Sequence, residues 1–325
     1  MKKLVLSHGD CDGVIAAAIY IKHFLIDLYP SRVLIGFTQP WRASKEIKRL
    51  CSDDCDAAVL IDLAIDKETF SAIVDLVMRG VDVTIIDHHA TTENWISKLR
   101  ELGVEVVWGR STSTPRLIAD KMSLTLNSYE QRLVDIADVC EGSESREPES
   151  KYVGDLLKLS ISRDPGDLNF LKDLLDTILR GRDITDLEEL REKARVSRML
   201  LDKLVNKIIK EGEYIGDFVI SHLRPAESRI YAGLFGIAST EAGKKIGKDI
   251  ILIRDENGKT VVTIRSFRGL ALELCKEIIK ENSGGKYGGH SEAASATLTA
   301  KSLEEVVNSV RRIIWRRVEK ESMRQ

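Results

Sequence analysis

Short apolar runs alternate with helical patterns through the first half of the chain. Five runs are short and rich in β-branched residues, which is typical of buried strands, and the segments between them repeat apolar positions at helical spacing. The predicted strands cover residues 4–6, 33–37, 57–61, 83–86 and 104–108, and the predicted helices among them cover 14–29, 45–51 and 67–79. Strands that alternate with helices predict crossover units, a parallel sheet and therefore an α/β fold.

The second half begins as a mainly helical region and then changes character. Helical patterns cover residues 116–126 and 130–140, a polar loop covers 142–150, and a charged amphipathic stretch without glycine or proline covers 186–211. The last third combines strand patterns at 214–221, 250–253, 261–265 and 293–299 with helical patterns at 270–281 and 303–321 and a glycine-rich loop at 283–290. Asn257-Gly258 predicts a hairpin, because this pair accepts the positive φ angles of a tight turn.

These patterns predict two domains, which the length of 325 residues comfortably accommodates. We expect an N-terminal parallel-sheet domain with flanking helices over residues 1–185 and a connecting helix over 186–212. A smaller C-terminal α+β domain is expected over 213–325.

Composition narrows the functional classes. The 49 basic and 51 acidic residues give a formal net charge of -2, which argues against a large phosphate-backbone footprint but not against a small nucleotide substrate. The five cysteines are an odd number at low density, so we expect no disulfide framework; Cys51 and Cys55 are interpreted as reduced thiols rather than a zinc site. No apolar stretch approaches the roughly 20 residues that span a bilayer, so we expect a cytoplasmic protein without a membrane partner.

Carboxylates and imidazoles cluster after three of the predicted strands. They are His8, Asp10 and Asp12 after the first strand, Asp62 at the end of the third, and Asp87, His88 and His89 at the end of the fourth. Because the carboxyl ends of parallel strands share one edge of a sheet, these groups should converge. Crowded carboxylates resist ionising together unless a cation neutralises them, and this mixture of nitrogen and oxygen donors suits manganese, iron or zinc. Taken alone, Asp12 is equally well explained as a helix N-cap, and an isolated Asp62 would more often be structural than functional.

The motifs resemble those of the DHH phosphoesterase superfamily. The resemblance rests on His8-x-Asp10-x-Asp12-Gly13, on Asp62 as a second motif, on Asp87-His88-His89, on Asp138 within 136–139 as a fourth motif, and on the glycine-rich segment 284–294 of a DHH-associated domain. The two motif sets occur in the expected order and cover nearly the whole chain. Among such proteins we expect an archaeal source.

The resemblance implies a role for each residue. His8 and Asp10 would hold one metal, Asp12, His88 and Asp138 a second, and Asp62 would bridge both; Asp87 would orient its histidine neighbours and His89 would contact the scissile phosphate. Asp135, one turn before Asp138, competes for the fourth-motif role. The implied cofactors are two divalent cations, Mn²⁺ first, with Mg²⁺ or Co²⁺ as alternatives, and the implied nucleophile is water.

In the C-terminal domain the resemblance implies substrate contacts from Arg265, Ser266, Gly288, Gly289 and His290, with Arg268 as the alternative to Arg265. Glycine allows backbone amides to approach an anion closely, although the same glycines suit a tight turn. The segment departs from the family pattern where Lys286-Tyr287 interrupts the glycines and where Ser295 replaces a glycine. The segment 111–115 would either contact phosphate or cap the helix that follows.

The resemblance implies a manganese-dependent phosphodiesterase or exonuclease, a hydrolase that converts short or single-stranded oligonucleotides to mononucleotides. A cyclic di-AMP or linear dinucleotide phosphodiesterase and a 3′-phosphoadenosine phosphate phosphatase are the alternatives. Inorganic pyrophosphatases of this superfamily lack the glycine-rich domain, and scaffold relatives have lost metal ligands, so both are disfavoured. A DNA replication or repair partner and a homodimer through the last helix remain open.

Overall fold

The computed structural model describes residues 2–52, 55–144, 147–256, 258–299 and 301–322. It divides into two compact units, Met1–Arg195 and Val196–Gln325. The α/β class predicted from the sequence is confirmed. The predicted domain boundaries remain predictions, because the long helix expected as a connector contributes residues to both units.

In the first unit the strands are β1 Lys3–His8, β2 Val33–Thr38, β3 Ala57–Ile61, β4 Asp82–Asp87 and β5 Glu105–Trp108. Its helices are α1 Cys11–Tyr20, α2 Ala43–Leu50, α3 Lys67–Met78, α4 Ala90–Glu93, α5 Ile96–Glu101, α6 Thr114–Lys121, α7 Ser128–Cys140, α8 Pro148–Ser162 and α9 Leu168–Leu179, followed by α10 Glu188–Glu211, which ends in the second unit. In the second unit the strands are β6 Glu213–Ile215, β7 Phe218–Leu223, β8 Asp249–Glu256, β9 Lys259–Arg265, β10 Lys286–Gly289 and β11 Ala293–Leu298. Its helices are α11 Pro225–Ile230, α12 Phe235–Ile246, α13 Ala271–Glu281 and α14 Leu303–Ser322.

The first sheet is fully parallel, in the order β2-β1-β3-β4-β5. Successive residues of a strand point to opposite faces, and both faces of this sheet are covered by helices. In β1, Val5 packs into the core beneath α1 and α7, whereas Leu4 and Leu6 pack into the core beneath α2 and α3. Because residues on both faces of the sheet are buried, the strands appear in the sequence as continuous apolar runs.

The second unit is built on a mixed six-stranded sheet in the order β10-β11-β9-β8-β7-β6. Only β7 and β8 pair in parallel; the other neighbours are antiparallel. One face packs against α13 and α14 around residues such as Ile251 and Val310. The unit therefore has a hydrophobic core of its own.

Two predicted elements of this unit have a different form in the structure. Residues 214–221 were predicted as one strand, but a turn at Gly216, with φ 55°, divides them between β6 and β7. The predicted glycine-rich loop instead forms β10, an edge strand paired with β11. The predicted hairpin is present, with Glu256 opposite Lys259, although Asn257 lies outside the described residues.

The prediction of reduced cysteines is contradicted by the structure. Cys11 is bonded to Cys140, with Cα atoms 6.2 Å apart, and Cys51 to Cys55, with Cα atoms 5.1 Å apart; Cys275 is free and buried. Cys11 and Cys140 are 129 residues apart, so only the packing of the first turn of α1 against the last turn of α7 brings them together. Cysteine count and spacing could not reveal that contact.

No helix in the described part of the chain is both long and apolar enough to cross a membrane.

Candidate metal centre

The carboxyl ends of three neighbouring strands carry the predicted metal ligands. β1, β3 and β4 are adjacent and parallel, so their ends lie side by side at one edge of the sheet. The structure places His8, Asp10, Asp12, Asp62, Asp87, His88 and His89 together at this edge.

The connection from β1 to α1 is tight. Asp10 is the N-cap of α1, and its Oδ1 accepts a hydrogen bond of 2.9 Å from the Gly13 amide. A Cβ at Gly13 would lie 2.3 Å from the His8 carbonyl oxygen, so only glycine fits where the helix passes the strand end. This packing leaves the other oxygen of Asp10, Oδ2, 2.9 Å from His8 Nδ1.

Asp62 lies at the centre of the cluster in an uncommon backbone conformation. Its φ of 57° is in the left-handed region, which aspartate tolerates better than most residues other than glycine. Its Oδ2 lies 3.4 Å from His8 Nδ1, and its Oδ1 lies 3.5 Å from His88 Nε2. The turn thus directs one carboxylate oxygen toward each side of the cluster, and strained conformations of this kind concentrate at functional sites.

Two groups of potential ligand atoms share Asp62. One contains His8, Asp10 and Asp62, the other contains Asp62, His88 and His89, and the atoms of each group lie within 4.8 Å of one another. Imidazole nitrogens combined with carboxylate oxygens suit divalent transition metals such as Mn²⁺. The residues present therefore fit divalent cations.

His88 is well oriented to act as a ligand. Its Nδ1 lies 3.1 Å from the carbonyl oxygen of Ser111. Because a carbonyl only accepts, this nitrogen carries the proton of the neutral ring, and the lone pair is on Nε2, which faces Asp62 and lies 3.8 Å from Asp12 Oδ2.

His89 has a different environment. Its Nδ1 lies 2.7 Å from Asp87 Oδ1, and the second oxygen of Asp87 accepts a hydrogen bond from the Thr92 hydroxyl. Burial lowers the pKa of His89, but the hydrogen bond to Asp87 together with the charges of Asp87 and Asp62 offsets this and raises the pKa to about 9. Asp87 was predicted to orient its histidine neighbours; the structure gives this contact to His89.

The charges within the cluster are strongly coupled. Burial, reinforced by the negative charges of Asp62 and Asp10, raises the pKa of Asp12 well above its usual range. Burial also raises the pKa of Asp62, against the effect of its bond to His8. Burial lowers the pKa of His8, but its charge and hydrogen-bond interactions with Asp10 and Asp62 together outweigh burial and raise the pKa to about 11. Buried acids that resist ionising together are the electrostatic setting that a bound cation would stabilise.

The segment 111–115 supports the carboxylates and begins a helix. Ser113 is the N-cap of α6, its side chain accepting a bond from the Arg116 amide. The Thr114 amide donates to both oxygens of Asp12, at 3.2 and 3.0 Å, and the Thr114 hydroxyl donates to Asp62 at 2.9 Å. Phosphate contact and helix capping were the two roles predicted for this segment, and the structure shows helix capping.

Asp138 does not join the metal-binding groups. Its Oδ1 accepts bonds from the Thr112 and Ser113 hydroxyls, at 2.7 and 2.6 Å, and its Oδ2 accepts a bond of 2.6 Å from Arg116 Nε. Its competitor Asp135 also binds Arg116, at 2.9 Å. In the structure the Asp138 carboxylate pairs with Arg116, and its ligand role remains a prediction.

Glu141 is the acid of this region that the sequence analysis overlooked. It directly follows α7, one turn after Asp138. Burial and the negative charges of Asp10 and Asp62 raise its pKa, so its carboxylate lies within electrostatic reach of the cluster. The helical spacing of three residues from Asp138 was the available signal.

In the second unit, the two candidate arginines, Arg265 and Arg268, have different surroundings. Burial lowers its pKa, and within the described residues it has no carboxylate partner. Its Nη2 passes over Gly236 in the first turn of α12, where an added Cβ would lie only 2.6 Å away. By contrast, Arg268 binds Asp249 at 3.0 Å and Asp217 at 3.3 Å.

Ser266, whose substrate contact remains a prediction, has well-defined partners within the second unit. It is buried, its hydroxyl donates to Asp249 Oδ2 at 2.9 Å, and it accepts bonds from the amides of Arg268 and Leu270. All three bonds involve the Ser266 hydroxyl, which therefore stabilises the turn that precedes α13.

The glycine-rich segment is exposed at the edge of the second sheet. Gly289, with φ 128°, is fixed by packing, because a Cβ there would lie 2.3 Å from the Ala293 carbonyl oxygen. A Cβ added at Gly288 would meet nothing within 4 Å, and His290 is exposed with its amide bonded to the Ala293 carbonyl oxygen. Of the predicted contacts in this segment, Gly288 and His290 are therefore the two without an evident packing constraint among the described residues.

Comparison with known proteins gives matches for the second unit and for the fold. The family model described as the DHHA1 domain matches residues 216–316, and no curated protein matches the sequence. The Mn²⁺ complex of RecJ from Thermus thermophilus matches with a TM-score of 0.65 at 15% identity, over 97% of this chain and 52% of RecJ. This chain thus spans about half the length of that RecJ.

Two shorter proteins match over almost their whole length. The pGpG-specific phosphodiesterase PggH from Vibrio cholerae has a TM-score of 0.65 and 16% identity, over 98% of this chain and 99% of PggH. An exopolyphosphatase-related protein from Bacteroides fragilis has a TM-score of 0.59 and 15% identity, over 98% of this chain and 93% of the other. Residues 216–316 thus match the DHHA1 domain family, and the fold of the chain is similar to that of RecJ and PggH.

Proposed function

We propose that this protein is a two-metal phosphodiesterase that hydrolyses short or single-stranded oligonucleotides to mononucleotides, with Mn²⁺ as its cofactor. The observation that carries the proposal is the shared position of Asp62, whose two oxygens face His8 on one side and His88 on the other. A carboxylate shared between two donor groups is the arrangement that a bridging ligand requires.

His8, Asp10 and Asp62 would hold one cation, and Asp12, Asp62 and His88 the other. Two cations so held would activate water and neutralise charge that develops on the phosphate oxygens. His89 is assigned to the phosphate rather than to a metal, because its Nδ1 is bound to Asp87. With its side chain 37% exposed, His89 can donate a hydrogen bond to an anionic substrate.

Arg265 would bind a second part of the substrate. A half-buried guanidinium without a carboxylate partner among the described residues has a strong preference for an anion, and phosphate accepts it in bidentate fashion. His290 and Gly288, both exposed, are the remaining candidates for substrate contacts in the second unit.

A linear dinucleotide is the second candidate substrate. PggH, described as specific for pGpG, is matched over 99% of its length, whereas RecJ is matched over 52%. The near-neutral net charge of -2 also favours a short substrate over a long one. Cyclic di-AMP and 3′-phosphoadenosine phosphate would use the same metal centre and need only a different pocket.

A product assay with Mn²⁺ distinguishes these candidates. It would offer 5′-labelled RNA of graded length, matching DNA, linear pGpG, cyclic di-AMP, 3′-phosphoadenosine phosphate and pyrophosphate. We expect mononucleotides from the short oligonucleotides. Hydrolysis of pyrophosphate alone would exclude the nuclease assignment, and hydrolysis of none would exclude the enzyme assignment.

The variant Asp62→Asn tests the metal centre. Asparagine tolerates the left-handed backbone, so the change removes charge without forcing a new turn. We expect activity to fall at least about 100-fold and Mn²⁺ binding to weaken at both sites. Asp75→Asn is the matched control, because Asp75 is exposed on α3 and pairs with Lys48, away from the cluster. Equal losses in the two variants would mean that Asp62 has no special role.

A further inference from the structure

The disulfide between Cys11 and Cys140 lies directly beside the candidate metal centre. Cys11 is the first residue of α1 and stands between Asp10 and Asp12 in sequence. Cys140 is the last residue of α7 and directly precedes Glu141. Both cysteines are buried, at 4% and 5% exposure. The bond therefore joins the segment that carries two acids of the cluster to the helix end that carries Glu141.

The two joined segments come from distant parts of the chain. A cross-link between residues 129 apart removes much of the freedom with which the ends could separate. Without the bond, α1 and α7 would still pack through residues such as Ala17 and Ala137, but their facing ends would be held only by non-covalent contacts. Small displacements there would move Asp10 and Asp12 relative to Asp62, and ligand groups need to be held within a few tenths of an ångström.

The second disulfide provides a comparison within the same chain. Cys55 lies two residues before β3, at the amino end of that strand, whereas Asp62 follows its carboxyl end. The five residues of β3 separate the two by about 16 Å at the usual rise of a strand. Cys51–Cys55 also closes a short local loop, so it should have no influence on the ligands.

We infer that the Cys11–Cys140 disulfide positions the metal ligands, so that the thiol–disulfide state of this pair sets the affinity of the centre for divalent cations. The inference rests on the proposed metal site. The two cysteines are positioning residues and touch neither substrate nor reacting atoms.

The test compares Mn²⁺ affinity with and without the bond. Wild-type protein is prepared oxidised, and a second sample is reduced with an excess of dithiol, which becomes a cyclic disulfide as each protein disulfide gains two electrons and two protons. The dithiol is then removed without air, and mass spectrometry confirms the state of each cysteine. Mn²⁺ binding is measured by calorimetry on both samples, on Cys140→Ala, and on Cys55→Ala as the matched control.

We expect reduction and Cys140→Ala each to weaken Mn²⁺ binding about tenfold, comparable to the loss of a residue that orients a ligand. Cys55→Ala should bind Mn²⁺ as the oxidised wild type does, whatever its effect on the urea midpoint. The reduced wild type has an unchanged sequence, so it remains informative if Cys140→Ala fails to fold.

Equal Mn²⁺ affinity in the oxidised and reduced wild type would overturn the inference while leaving the proposed function intact. Free Cys11 and Cys140 thiols in protein prepared under oxidising conditions would also overturn it. An absence of Mn²⁺ binding in every form would overturn the proposed function and, with it, this inference.

Discussion

His88 and His89 are neighbours in sequence with opposite hydrogen-bonding environments. A backbone carbonyl, that of Ser111, faces Nδ1 of His88, which leaves a lone pair on Nε2, whereas the Asp87 carboxylate pairs with His89 and favours its protonated form. One ring is thereby suited to a metal and the other to an anion. The two rings differ because Nδ1 contacts a backbone carbonyl in His88 and a carboxylate in His89.

At the residue scale, Arg265→Ala should impair substrate binding more than catalysis. Loss of a charge-assisted bond to phosphate is worth about 1.5–3 kcal/mol, so we expect KM to rise about 10- to 100-fold with little change in kcat. Steady-state kinetics with a short oligonucleotide would measure this. Arg312→Ala, which removes an exposed arginine from α14, is the control. An unchanged KM would remove Arg265 from the substrate site.

Sequence motifs identified the cluster but not every contact within it. The ligand types after β1, β3 and β4 follow from strand order, because parallel strands end at a common edge. The partner of Asp138 could not be predicted, since Arg116 lies on another helix and only packing brings the two together. The same holds for Ser266, whose link to Asp249 depends on the pairing of β8 with β9.

At the element scale, the start of α7 is secured by Glu130. Its amide and carboxylate form a reciprocal capping box with Asn127, with both bonds at 3.0 Å, and its other oxygen pairs with Lys22 at 2.9 Å. Lys22 belongs to the π-helical turn Ile21–Leu25 that continues α1. One buried carboxylate therefore ties the two helices together, at the far end of α7 from Cys140.

Glu130→Gln should destabilise the first unit by about 2 kcal/mol, because a charged acceptor with two strong partners becomes neutral. Burial would raise the pKa of Glu130, but the Asn127 amide and Lys22 outweigh it, so its pKa lies below the unfolded value of 4.5. A lowered pKa contributes stability that is present above about pH 4.5 and is lost as the pH falls through the folded value.

Urea unfolding of both proteins across acidic pH would show this. The difference between wild type and Glu130→Gln should be full near pH 7 and shrink below about pH 4.5. Glu68→Gln, an exposed change in the first turn of α3, serves as the control and should show little difference at any pH. A gap that stays constant down to about pH 2 would contradict the role given to the Glu130 charge.

The elements themselves were largely predictable where the pattern was periodic. Buried parallel strands appear as uniform apolar runs, and all five of the first sheet were predicted. The edge strand β10 was not, because glycine has low strand propensity and only pairing with β11 gives Lys286–Gly289 its conformation. The division of 214–221 was missed for a similar reason, since one glycine among apolar residues is a weak turn signal.

At the scale of the whole molecule, each unit has its own hydrophobic core, and each contains some of the candidate functional residues. All candidate metal ligands belong to residues 1–195, and Arg265 and His290 belong to residues 196–325. The separated first unit should therefore bind Mn²⁺ with an affinity close to that of the full chain. Its kcat/KM on oligonucleotides should fall at least as far as in Arg265→Ala, about 10-fold or more.

Calorimetry and the product assay on the fragment 1–195 would test this division of roles, with circular dichroism to verify that the fragment is folded. Full activity in the fragment would remove the second unit from substrate binding. A folded fragment that fails to bind Mn²⁺ would mean that the centre depends on residues beyond 195.

The placement of β1 has a consequence for how the protein opens in solution. β1 has a strand on either side and a layer of helices on each face, so we expect its amides to exchange with solvent mainly when the whole first unit unfolds. His8 is the last residue of this strand. The motif that begins the candidate centre is thus attached to a strand that we expect to be among the slowest to exchange, so transient fraying of helix ends should leave the start of the centre in place.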